Sequence, residues 1–477
     1  MPAPQQRLRV AFIHPDLGIG GAERLVVDAA IGLQDLGHSV DIYTSHHDPG
    51  HCFEETRDGR LRVHYVVPPV PRSLGGKFHI LFAHARQLHL TAHLLRPGAP
   101  TYDVYFVDQL STCVPFLRAV GHTRVVFYCH FPDKLLANGA FIEGNLVKKR
   151  VGLLKRLYRL PMDWLEEITT SQADIILANS KFTARIFKIY FPSIPENPGV
   201  VYPGINISTY DAPFNDSDED IVSITSHRQT LLSLNRFEGK KNIALALEAF
   251  AILKAKRPEL TDLRLVIAGG YDPRLEDNDR VLMQLQSITN THALTWNVVS
   301  PSKLPFKTSR SNPNPDVLFL LNFTTAQRTA LLRSPSTIAL LYTPANEHFG
   351  IVPVEAMACG LPVLACDSGG PIETIVNSPE DEFTGWLKTP EADVWADALT
   401  EILDLSPEDR EALGRRARKR AEDMFSMDAM ARGLEEALKE AVGMGPVDVW
   451  GAWRTLAIML IGFFIARWLS PLFLPPK

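Results

Sequence analysis

The chain has 477 residues, too long for one compact domain at a norm of roughly 150 residues each. Hydrophobic residues at 45% and charged residues at 22% exclude a disordered or fibrous chain. Forty-nine Lys and Arg against 54 Asp and Glu leave a net charge of -5, so nothing global draws the chain to nucleic acid, and an anionic ligand must be held by local groups.

Residues 1–9 are polar and run straight into a strand-like stretch, with no apolar core for a secretory signal. The five cysteines, Cys52, Cys113, Cys129, Cys359 and Cys366, are odd in number and lack CxxC spacing, which points to a reduced, cytosol-facing chain. Residues 8–14 read as a buried parallel strand ended by His14-Pro15-Asp16. The loop Leu17-Gly18-Ile19-Gly20-Gly21 follows, then a helix with Val26, Ala29, Ala30, Leu33 and Leu36 on one face, then a strand at 39–43. That order opens a Rossmann-like, doubly wound α/β domain. The Leu- and His-rich stretch 78–95 reads as core packing or as the flank of a lipid-binding groove. Further strands are expected at 104–107, 125–128, 175–178 and 200–201. In 146–160, Lys148, Lys149, Arg150, Lys155, Arg156 and Arg159 alternate with Val151, Leu153, Leu154, Leu157 and Leu160. This suits a basic amphipathic helix on anionic lipid and, equally, a solvated helix packed on a core.

Residues 206–228, rich in Asp and Asn, read as an exposed linker. The α/β rhythm then restarts with a strand at 231–234, a helix capped by Asn242, and a strand at 263–268 ending in Gly269-Gly270. An irregular excursion over 271–316 precedes strands at 338–342 and 362–366. The expected architecture is two Rossmann-like α/β domains, 1–205 and 229–425, facing each other across a cleft, with a helix over 426–446 and a hydrophobic tail over 447–477. Only Arg454 and Arg467 interrupt 449–474. The twelve uncharged residues between them fall short of the ~20 that a membrane span needs. With Trp450, Trp453 and Trp468 placed as in an aromatic belt, the tail reads as a membrane anchor, spanning or interfacial, in preference to a helix docked on the protein's own core.

Four constellations carry chemistry. Gly20-Gly21-Ala22-Glu23-Arg24 joins a strand to a helix, where glycines admit a ligand to the backbone and unpaired N–H groups face it, although such a pair also makes a plain tight turn. Arg236-Phe237-Glu238-Gly239-Lys240-Lys241-Asn242 sets two cations beside a helix start, an arrangement for a diphosphate or simply a solvated basic turn. In Glu347-His348-Phe349-Gly350-Ile351-Val352-Pro353-Val354-Glu355, Glu347 falls in a loop after a strand, and Glu355 falls one to two turns into a helix, placed to accept from vicinal hydroxyls. Gly350 and the following Ile351 and Val352 bring backbone amides to the same place. The fourth is Tyr128-Cys129-His130-Phe131-Pro132-Asp133, where His130 is placed to bond a substrate hydroxyl or to sit satisfied in the core. Ser368-Gly369-Gly370-Pro371 with Glu373 is one more candidate binding loop.

Together Gly20-Gly21-Ala22-Glu23-Arg24, His130, Asn179-Ser180, Tyr202-Pro203-Gly204, Arg236 with Lys241, and the glutamates Glu347 and Glu355 resemble the retaining, nucleotide-sugar-dependent glycosyltransferases of family 4. The likeness runs over residues 8–425. The longer runs 14–24, 128–133 and 235–242 are similar to the mannosyltransferases that extend a dolichol-linked oligosaccharide on the cytosolic face of the endoplasmic reticulum. The resemblance implies a GT-B fold, GDP-mannose as donor, and a dolichol-diphosphate oligosaccharide as acceptor of its second and third mannoses, α-1,3 and α-1,6. It implies that Arg236 and Lys241 clamp the diphosphate and stabilise the departing GDP. Glu355 would then bind the ribose, Glu347 the mannosyl hydroxyls and the oxocarbenium-like centre, and His130 the transferring sugar. Gly20 and Gly21 would lie near phosphate and acceptor. No essential metal is expected, because two cations and helix dipoles take the diphosphate charge. Membrane lipid, through the tail and the 146–160 stretch, and other early-pathway mannosyltransferases are the expected partners; nucleic acid is not.

Two alternatives remain at this level. One is another nucleotide-sugar transferase with a lipid-phosphate acceptor. The other is a silent glycolipid-binding scaffold, whose signature would be loss of Glu347, Lys241 or Arg236. The sequons at Asn206, Asn215 and Asn322 are expected to carry no glycan if the body faces the cytosol.

Overall fold

The computed structural model describes residues 7–138, 153–213, 215, 217–301 and 312–473. They form two compact units, one built from residues before 205 together with those from 427 on, the other from 205–426.

The first unit holds β1 (Arg9–His14), β2 (Ser39–Thr44), β3 (Arg62–Tyr65), β4 (Val104–Asp108), β5 (Arg124–Cys129), β6 (Ile175–Ala178) and β7 (Gly199–Val200). They make one parallel sheet in the order β3-β2-β1-β4-β5-β6-β7. Successive side chains leave on opposite faces, so Val104 and Phe106 join Phe12 and Tyr128 in one core while Tyr105 and Val107 join Ile13 and Phe127 in another. Both faces are covered, and that is why the central strands read as unbroken apolar runs. The first face lies under the helices Gly21–Asp35 and Met427–Gly443, the latter inserting Met430, Leu434 and Leu438. These two helices touch so closely that a Cβ on Gly32 would sit 2.7 Å from the Ala431 Cβ.

The tail forms the helix Val449–Phe473, packed on the helices Val114–Ala119 and Leu153–Thr170. Ala452 and Thr455 are buried there, whereas Trp450, Trp453, Leu460 and Ile461 stay exposed. Among the described residues no helix is long and apolar enough to cross a membrane. The tail thus docks on the protein along one side and leaves an apolar side open. Of the basic stretch, 146–152 lies outside the described residues. Arg159, expected on a polar face, is instead buried between Asp133 at 3.1 Å and Asp163 at 2.6 Å. Residues 78–95 supply the helix His79–Leu94, with Leu90 and Leu94 in the core and Leu81 and Leu88 exposed.

The second unit holds β8 (Gln229–Leu234), β9 (Leu263–Gly269), β10 (Trp296–Val299), β11 (Val317–Leu321), β12 (Thr337–Tyr342), β13 (Val363–Cys366) and β14 (Trp386–Lys388). Its sheet is also parallel, in the order β10-β11-β9-β8-β12-β13-β14. Three expectations are corrected here. The 206–228 stretch is not an exposed linker but part of this unit, tied in by buried Tyr210, Ile221 and Ile224. The 271–316 excursion contains the helix Glu276–Thr291 and β10, which bury Val281, Leu285 and Val298. Asn242 does not cap the next helix, Ala244–Lys256; it adopts left-handed φ 47° and closes the short turn Gly239–Lys241.

Candidate active site

In the second unit the chain starts at β8 and winds to both sides, to β9 and to β12, so the carboxyl ends of these central strands form a topological switch point. Three loops leave from there and from the adjoining β13. After β8, Asn235 and Arg236 press on Gly269, where a Cβ would fall 1.8 Å from the Asn235 oxygen; only glycine admits the loop. Buried Phe237 anchors the turn, and Thr343 Oγ1 donates to the Lys241 carbonyl at 2.7 Å. After β12 comes Glu347, and after β13 comes Ser368-Gly369-Gly370. The last two loops interlock. Gly370 N–H donates to the Glu347 carbonyl at 2.8 Å, and a Cβ on Gly370 would lie 2.1 Å from the Phe349 oxygen. Gly350, at φ +88°, turns the chain beside the Tyr342 ring into the helix Ile351–Ala358, whose first residues Ile351 and Val352 are half-buried.

This frame brings Lys241 and Glu347 into a direct ion pair, with the Tyr342 hydroxyl 3.4 Å from the same carboxylate. Burial pushes the Glu347 carboxyl up, but the charge and hydrogen bond of Lys241, with His348 and Lys240 nearby, together hold the group below its ordinary value. Glu355 is 5% exposed. Its Oε1 accepts from the Tyr210 hydroxyl at 2.7 Å and from Arg328 at 2.8 Å, while Oε2 is buried with no hydrogen-bond partner among the described residues. Burial lifts this carboxyl, and Arg328 and Tyr210 only partly offset it. Tyr342, raised by its own burial, also feels the charges of both Glu347 and Glu355. Arg236 joins neither glutamate: its side chain, 63% exposed, pairs with Glu238 at 3.0 Å.

In the first unit, Gly20 and Gly21 do open a helix. A Cβ on Gly20 would meet only the movable end of the Glu23 side chain, and one on Gly21 open space. Arg24 pairs with Asp28 and Glu55 and stacks on Phe53, which makes it structural. Ser180 caps the helix Lys181–Tyr190 by accepting from Thr183 N–H, and Asn179 donates to the His130 carbonyl at 3.0 Å. His130 itself, following β5, is 21% exposed, and its Nε2 lies 2.7 Å from Asp108 Oδ1, an ion-pair distance though out of line for a full hydrogen bond. The other Asp108 oxygen, Oδ2, is 2.7 Å from His14 Nδ1. Burial works against the Asp108 charge, yet the His130 and His14 rings hold it down at about 2.

Sequence reasoning missed Tyr210, Arg328, Asp108 and the contact made by His14. Asp108 carried a signal: a carboxylate ending an apolar strand at the edge where ligands bind. Tyr210 and Arg328 carried none, being brought to Glu355 from 145 and 27 positions away.

Two doubly wound parallel sheets, one in each unit, are the architecture of the GT-B class of glycosyltransferases. Residues 19–209 match the family described as "Glycosyltransferase Family 4", and 215–420 match "Glycosyl transferases group 1". The sucrose-phosphate synthase of Thermosynechococcus elongatus shares the fold at TM-score 0.65 and 18% identity, covering 92% of this chain and 100% of that one. The catalytic domain of starch synthase IV from Arabidopsis thaliana shares it at 0.65 and 15%, over 92% and 100%. Alpha-1,3/1,6-mannosyltransferase ALG2 of Rhizomucor pusillus is 45% identical over 91% of this chain and 92% of its own length. The Saccharomyces cerevisiae protein of that name is 41% identical over 91% and 85%. The chain belongs to the ALG2 family of alpha-1,3/1,6-mannosyltransferases within the family 4 glycosyltransferases.

Proposed function

We infer that this protein is a retaining mannosyltransferase that moves mannose from GDP-mannose to a dolichol-diphosphate-linked oligosaccharide, adding its second and third mannoses through α-1,3 and α-1,6 bonds. The observation that carries the reading is the Lys241–Glu347 ion pair at the switch point beside Glu355, whose second oxygen stands unpaired. Lys241 meets the charge that grows on the diphosphate as the glycosidic bond breaks, where a preset cation lowers the barrier most. Glu347, kept ionised by Lys241, stands against the positive charge developing at the anomeric carbon and holds mannosyl hydroxyls. Glu355 Oε2 accepts from the ribose, a role that fits a buried acceptor with nothing yet bound to it. Exposed Arg236 swings from Glu238 onto the diphosphate, and His130 holds the transferring sugar. The amides at Gly350, Ile351 and Val352 take donor oxygens, and those at Gly20 and Gly21 take phosphate or acceptor oxygens. The exposed apolar side of the tail helix holds the enzyme on the cytosolic face of the endoplasmic reticulum membrane, where its lipid acceptor resides.

The test is purified protein in detergent, given a panel of nucleotide sugars and a chitobiose lipid bearing one mannose. Elongated lipid from GDP-mannose, lost in Glu347→Gln and Lys241→Met variants that keep their melting temperature, supports the reading. Equal use of UDP-sugars overturns it.

A further inference from the structure

The carboxyl ends of three neighbouring strands, β1, β4 and β5, carry His14, Asp108 and His130. Asp108 sits between the two rings, one oxygen 2.7 Å from each. A carboxylate this buried needs compensating partners: Oδ2 is hydrogen-bonded to His14, and Oδ1 lies at ion-pair distance from His130. Among the described residues no three such side chains are arranged to hold a metal; here His14 bonds the carboxylate and the His130 ring stands within ion-pair reach of it. Its members differ in exposure: His14 and Asp108 are closed off, while the His130 ring reaches solvent. The backbone of His130 is fixed separately by Asn179, and its ring stands edge-on to Tyr128 at 5.1 Å. Only the ring's tautomer and tilt are then left to be set, and a neighbouring carboxylate sets both.

We propose that Asp108 is a positioning residue for sugar transfer: it draws the N–H of His130 to Nε2, so that Nδ1 is left as a hydrogen-bond acceptor for a hydroxyl of the transferring sugar. The proposal rests on the mannosyltransferase reading above. It explains why an ionised carboxylate is held in the interior at a place where packing alone favours an apolar side chain. It also gives His14 a defined part, since donation from His14 Nδ1 to Oδ2 leaves Oδ1 to His130. An amide at 108 has one acceptor atom and one donor group, so it satisfies one ring as the carboxylate does and forces the other onto the opposite tautomer.

The experiment uses the full-length enzyme with GDP-mannose and the mannosylated chitobiose lipid, comparing wild type, Asp108→Asn, His130→Ala and the double variant. Asp108→Asn is expected to lose at least tenfold in kcat with KM for GDP-mannose within about threefold, because the cations that grip the diphosphate are untouched. In the His130→Ala background the same change is expected to cost less than twofold, since the ring it orients is gone. An Asp108→Asn enzyme within twofold of wild type overturns the proposal, as does a double variant that loses the full Asp108→Asn factor again. Should Asp108→Asn not fold, nitrogen NMR of the wild-type imidazoles decides: Nε2-protonated His130 sustains the proposal and Nδ1-protonated His130 ends it. Failure of wild type itself to use GDP-mannose would strike the functional reading instead.

Discussion

Glu355 is the residue whose surroundings say most. A buried carboxylate with one oxygen held by Tyr210 and Arg328, and the other without a partner among the described residues, can carry its charge only because Arg328 offsets part of the cost of burial. Arg328→Met is therefore expected to cost about 3 kcal/mol of stability, read as a lowered melting temperature. It should also raise KM for GDP-mannose roughly tenfold, the loss of about one charge-assisted hydrogen bond. Glu166 offers a pH test. It accepts from the Asp133 and Lys134 amides, but burial, with the Asp133 charge, pushes its carboxyl up to about 7. A raised carboxyl favours the folded state fully below the ordinary value near 4.5, and that advantage is lost as pH climbs through about 7. Melting curves of wild type should decline over that window, and Glu166→Gln should remove that part of the slope.

At the scale of elements, the glycine loops are structural claims that mutation can check. Gly370→Ala forces a Cβ against the Phe349 carbonyl and should cost about 1–3 kcal/mol. Because that carbonyl belongs to the neighbouring loop that carries Glu347, kcat should fall beyond what the lost folded fraction explains. Ser180→Ala, which removes a helix cap, is expected to cost about 1 kcal/mol with kcat nearly intact. The contrast tells loop geometry apart from simple destabilisation. How much was legible in the sequence follows the same line. Central strands β1, β4, β5, β8, β9 and β12 announced themselves as apolar runs, because a parallel strand buried on both faces has no other way to be written. Other elements did not: β3 reads Arg62-Val63-His64-Tyr65, β14 is three residues long, and the helix Glu276–Thr291 opens with Glu-Asp-Asn-Asp. Lys241, Glu347, Glu355 and His130 were legible because each stands in a local motif. Their partners arrive from distant strands, and that pairing exists only after folding.

For the molecule as a whole, the tail helix is the element to cut. Removing 449–477 strips the exposed Trp450, Trp453, Leu460 and Ile461, and the protein should move from membrane pellet to supernatant with its melting transition retained. Trp453→Glu with Ile461→Glu should do the same without truncation. A cut before Met427 is a different matter, for it takes Met430, Leu434 and Leu438 out of the core over β4 and β5. Burial of three such side chains is worth roughly 5–9 kcal/mol, comparable with the whole stability of a domain.

That last helix also fixes a timetable. The strands of the first unit leave the ribosome early, but part of the cover for one face of their sheet is encoded some 220 residues later, after the second unit. The amino-terminal half must therefore wait, with Phe12, Phe106 and Val26 short of some of their partners, while translation runs through the second unit. A nascent chain stalled at residue 300 should bind a holdase chaperone and resist proteases poorly, and release of the full-length chain should end both conditions together.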